Sequence, residues 1–162
     1  MKTIHVLILA FFIFSAPFQI LAQTSKTDLK INYSHVHKES SKDSHSIIEK
    51  WVLENGALNY SKSYTGRLGK KSPEKKQQNL SDEQLILVKK LLNEKELYKN
   101  IPSPKYSDFK SPYTAIHVNL ILKKNTESFE IDLYEVVESI TKNPTYSDIK
   151  TLENLLNSFL KK

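Results

Sequence analysis

Three of the chain's five histidines fall within one short stretch, "NYSHVHKESSKDSHS". His35 and His37 stand two residues apart. On a β-strand, residues i and i+2 project to the same side, so both imidazoles can face one ion. If "KESSKDS" folds back as a hairpin, His45 approaches them, and Glu39 or Asp43 can add an oxygen. Imidazole with carboxylate suits Zn²⁺, Cu²⁺ or Ni²⁺. The same pattern also describes the polar end of a strand at the N-terminal edge of a domain, where burial and supporting hydrogen bonds are least assured. Strand histidines of that second kind are the commoner case. His35, His37 and His45 are therefore candidate metal ligands only, and the sequence assigns no cofactor.

Other chemistry finds little support. There is no cysteine, which removes thiol catalysis. G-x-S-x-G, H-E-x-x-H and GxxxxGK[ST] are all missing, which argues against a nucleophile elbow, a zincin and a P-loop. Glu130 and Asp132 alternate with Phe129, Ile131 and Leu133, so they read as the solvent face of a strand rather than a catalytic pair. His117 sits beside Asn119 in a strand pattern and reads as an ordinary strand histidine. "GRLG" has the spacing of a GxxG clamp, but strand-like residues precede it where that clamp needs a helix. The expectation is a protein that is not an enzyme.

The elements that would hold these residues can be read from periodicity. Residues 28–37 alternate, with Leu29, Ile31, Tyr33, His35 and His37 on one face. Residues 46–54 and 57–65 form a hairpin around Asn55-Gly56, the dipeptide of a type I′ turn. Residues 66–79 hold two glycines, a proline and several lysines, and read as a solvated loop. Ser81 caps a helix, Gln84 completes a capping box, and Leu80 staples onto Leu85. Leu85, Val88, Leu91, Leu92 and Leu97 make its apolar stripe. "NIPSPKYSDFKSP" is a proline-rich loop. "YTAIHVNLILKK" and "SFEIDLYEV" form a second hairpin. After Pro144, capped by Ser147 or Thr145, a last helix carries Ile149, Leu152, Leu155, Leu156 and Phe159. The expected class is α+β: an antiparallel sheet of about five strands covered by two helices, in the order β-ββ-α-ββ-α.

The start, "MKTIHVLILAFFIFSAPFQILAQ", has one lysine, an apolar run from Ile4 to Phe14, and Ala22 at a cleavage position. That is the pattern of a signal peptide over residues 1–22, and the run is short for a membrane span of about 20 residues. Residues 23–162 then form one domain, with no integral membrane segment after cleavage. The product is expected to be exported, periplasmic or secreted. Export without any cysteine fits a bacterial source. Lys and Arg number 24 against 18 Asp and Glu, a net charge of +6. Arg67 is the sole arginine, which argues against nucleic-acid readout by guanidinium forks.

The order of tyrosine-bearing hairpin, basic loop, "LSDEQLILVKKLL" helix, second hairpin and closing helix resembles the emfourin-type inhibitors of metalloproteases. The resemblance spans about residues 47–160. Their glycine-rich turn has no counterpart in "HSIIEKWV", and no inhibitory residue carries over. It implies a non-catalytic domain that binds another exported or envelope protein. The tyrosine-rich hairpin and the 66–79 segment are the expected contact surface.

Overall fold

A computed structural model describes residues 28–40, 45–66, 68, 71–102 and 113–161. The predicted signal peptide, Asp43 and most of the proline-rich loop lie outside them. The described elements are β1 (Leu29–Ser40), β2 (His45–Glu54), β3 (Ala57–Gly66), β4 (Glu74–Asn79), α1 (Asp82–Glu94), β5 (Tyr113–Lys124), β6 (Glu127–Val136), α2 (Val137–Ile140) and α3 (Pro144–Phe159). The strands form one antiparallel sheet in the order β4-β3-β2-β1-β5-β6. The α+β class holds.

Three expectations need correction. The sheet has six strands, because the segment read as a solvated loop contributes β4. Its sequence, "EKKQQN", carries no apolar residue, so no hydrophobic alternation announces it. It pairs with β3 in antiparallel register, which an edge strand can do without a buried side chain. Second, β1, expected at the N-terminal edge of the domain, lies inside the sheet between β2 and β5. The first strand is placed centrally because the β5–β6 hairpin adds to its far side. Third, Asn143 caps α3, accepting from the Thr145 and Tyr146 amides, with Pro144 in the first turn. Proline there needs no amide donor and fixes the entering φ.

Local chemistry explains the other boundaries. Asn55 and Gly56 both take positive φ, 51° and 78°, as a type I′ turn requires. Ser81 caps α1 and Gln84 closes the box. That helix stops at Glu94, so Leu97, read as part of its stripe, is buried from the segment beyond it.

One face of the sheet carries the core. Leu29, Ile31 and Tyr33 of β1, Trp51 and Leu53 of β2, Leu58 of β3, and Val118, Leu120 and Leu122 of β5 meet Leu85, Val88 and Leu92 of α1 and Ile149, Leu152 and Leu156 of α3. The two long helices thus cover this face. No helix covers the opposite face among the described residues, and most of its side chains are exposed or half-buried. Tyr134 is the exception there: it is 7% exposed, packed edge-on against the His117 ring with centroids 5.6 Å apart. No described helix is long and apolar enough to cross a membrane.

Candidate functional site

Register decides what the three histidines can do together. His35 lies opposite Glu49, His37 opposite Ile47, and His45 opposite Glu39. All three therefore project from the covered face of the sheet. His45 is a diagonal neighbour of His37, a separation of about 7–8 Å in such pairs. His35 is half-buried beneath α3, with Nδ1 3.3 Å from Glu153 Oε2. His45 Nε2 lies 3.4 Å from Glu39 Oε2. The fold lines the histidines up along one face and turns two of them to different carboxylates. Among the described residues no group of three metal-binding side chains is gathered.

The sequence reading missed the most concentrated polar cluster. Glu153 of α3 is 6% exposed, the one buried charged residue among those described. The Tyr33 hydroxyl donates to its Oε2 at 2.6 Å, and Lys150 Nζ donates to Oε1. His35 Nδ1 approaches Oε2 at 3.3 Å off the hydrogen-bonding line, since neither ring nitrogen completes a hydrogen bond. Burial alone would raise the Glu153 carboxyl. The contacts with His35, Lys150 and Tyr33, and the Lys150 charge, outweigh it and hold the group at about 2. The same burial, with the carboxylate beside it, pushes the Tyr33 hydroxyl far above the ordinary tyrosine range. Such a carboxylate stays ionised near neutrality, far from the pKa that acid–base catalysis favours. A periodicity signal was present: residue 153 falls between Ile149 and Leu156 on the apolar stripe, where a carboxylate must find partners.

The same face continues as polar pairs. Trp51 Nε1 donates to Asn157 Oδ1 at 2.9 Å, and the Trp51 ring stacks on Tyr33 with centroids 4.8 Å apart. Tyr60 donates to Glu49 at 2.7 Å. Burial first, then that hydrogen bond, raises the Tyr60 hydroxyl. Tyr64 donates to Glu74 at 3.3 Å, and Lys71 lies over the Tyr64 ring.

On the open face, His117 Nε2 sits 2.6 Å from Asp132 Oδ1. A carboxylate-held imidazole is a component of acid–base sites. Here it is a diagonal pair across β5 and β6, flanked by Asn119 donating to Glu130 at 2.8 Å. Sequence reading weighed His117 and Asp132 separately, because strand register, not spacing along the chain, brings them together.

The two sheet edges differ. On β6, Ile101 donates to the Glu130 carbonyl and accepts from the Asp132 amide, while the Asn100 side chain accepts from the Glu130 amide. The middle of that edge is thereby occupied. On β4, the two-residue turn of the β2–β3 hairpin sets the alternation of hydrogen-bonded pairs. It directs the backbone groups of Lys75, Gln77 and Asn79 outward, and of these the Asn79 carbonyl accepts from Gln78 Nε2 at 3.1 Å. Residues 74–77 are exposed, and no described strand pairs with the outer side of β4. No protein-family model matches the chain, and no curated protein matches its sequence.

Proposed function

We propose that this is an exported, non-catalytic binding domain that engages another exported or envelope protein through the β2–β3–β4 end of its sheet. The observation that carries the reading is the contrast between the edges: β6 is occupied at Ile101, whereas β4 keeps an outward row of backbone donors and acceptors. An extended segment of a partner can add to such an edge as a further strand, with main-chain hydrogen bonds giving affinity and side chains giving choice. The lysines of β4 discourage indiscriminate pairing and favour a partner strand that bears acidic residues.

The test uses Lys75→Pro and Gln77→Pro, which delete outward donors and leave the β3–β4 bonds in place. A partner is captured from the exported proteins of the source cells by cross-linking to the wild type, identified, and its complex measured with both variants. The reading expects the complex to be lost while thermal unfolding stays unchanged. Retention of the complex by folded variants refutes the edge as the contact.

A further inference from the structure

The open face carries a cleft beside the β4 edge. Lys50 of β2 lies opposite Ser61 of β3, and Ser61 lies opposite Lys75 of β4. The three form one row across adjacent strands, with the two lysine backbones about 10 Å apart at the usual strand spacing. The next row is Val52, Asn59 and Gln77. Together they line a shallow cleft of about 350 Å³, at the small end of the roughly 300–1,000 Å³ range of ligand sites.

Its charge is uncompensated among the described residues. Lys50 and Lys75 form no ion pair among the described residues. On this face Glu54 is taken by Lys30 at 2.7 Å, Asp132 by His117, and Glu130 by Asn119. Two ammonium groups on flexible stems can converge on one oxyanion, with the Ser61 hydroxyl between them as a further donor. Asn59 and Gln77 each offer donors and an acceptor, the combination that paired ring hydroxyls require. Val52 and the lysine methylenes give an apolar floor for the C–H face of a ring. The outward backbone edge of β4, which a peptide strand would need, lies beside the cleft rather than in it.

We infer that this cleft binds an acidic saccharide, its carboxylate or sulfate held between Lys50 and Lys75 over Ser61 and its hydroxyls on Asn59 and Gln77. The inference goes beyond the protein-binding reading and does not depend on it.

Amide chemical shifts of the intact protein test it, in titrations with a galacturonic acid disaccharide and with a sulfated disaccharide. Cellobiose and hexaglutamate serve as the neutral and the peptide comparison. Saturable shifts centred on residues 50, 61 and 75 are expected with at least one acidic sugar, and the responding sugar tells carboxylate from sulfate. Lys50→Gln combined with Lys75→Gln should weaken that affinity by about tenfold or more. Lys123→Gln, on the same face but on β5, should leave it unchanged. The inference is overturned if neither acidic sugar gives saturable shifts, if cellobiose or hexaglutamate binds as well, or if the double variant binds like the wild type.

Discussion

The Tyr33 hydroxyl donates to the Glu153 carboxylate at 2.6 Å, joining the central strand to the last helix. Around that bond lie Lys150 and His35, which also reach the Glu153 carboxylate. The cluster sets where α3 sits along β1, since apolar contacts alone allow a helix to slide.

Removing the carboxylate should therefore cost more than removing one donor. We expect Glu153→Ala to lose about 3 kcal/mol or more, since it strips a buried charge cluster of its shared acceptor. Tyr33→Phe should lose about 1–3 kcal/mol. Urea unfolding of both single variants and the double should show a coupling of about 1–3 kcal/mol. Additive losses would mean that the bond does not link the two elements energetically.

Acid should act through the same carboxylate. Its folded pKa of about 2 lies below the ordinary carboxylate value of 4.5, so the unfolded chain binds its proton more readily. The resulting stability is fully present above the unfolded value and is lost as pH falls from about 4.5 towards about 2. The shift corresponds to about 3 kcal/mol. Stability measured between pH 6 and pH 2 should fall less steeply in Glu153→Gln than in the wild type, a comparison at roughly the scale that linkage sets. Parallel profiles would remove Glu153 from the acid response.

Trp51 is the chain's single tryptophan and is 1% exposed, so its emission should be blue-shifted in the native protein and move to the red on unfolding. Trp51→Phe gives up the hydrogen bond to Asn157 and part of the stack on Tyr33. A loss of about 1–3 kcal/mol is expected by circular dichroism. No loss would show that the Asn157 contact adds nothing to the packing.

Zinc and copper titrations should give no tight one-to-one complex, because His35 is directed to Glu153 and His45 to Glu39. Isothermal titration checks this. A sub-micromolar site abolished by His35→Ala would show that the metal displaces Glu153 and would make β1 the functional centre.

Much of this architecture is legible in the sequence. Asn55-Gly56, Ser81 with Gln84, and the alternation of Ile116 to Leu122 are local signals, and each marks its element within a residue or two. β4 is not legible, because "EKKQQN" buries nothing and its pairing is a property of Leu58, Tyr60 and Lys62 across from it. The central place of β1 is hidden for a related reason: strand order depends on which hairpin adds to which edge, and alternation is silent on that. The histidines were visible as residues, but their separation among Glu153, Glu39 and the sheet surface arises from register and helix docking. Glu153 was the readable exception, a carboxylate inside an apolar stripe.

The block at Ile101 also limits how copies of this chain can associate. A sheet open at both edges can add copies end to end without limit. With the middle of β6 taken, one edge remains, and a contact that uses it on both partners closes about a two-fold axis and stops. Strand pairing between copies can make a pair but not a fibre. The lysines that would meet across such a pair oppose even that, leaving β4 free for a different chain.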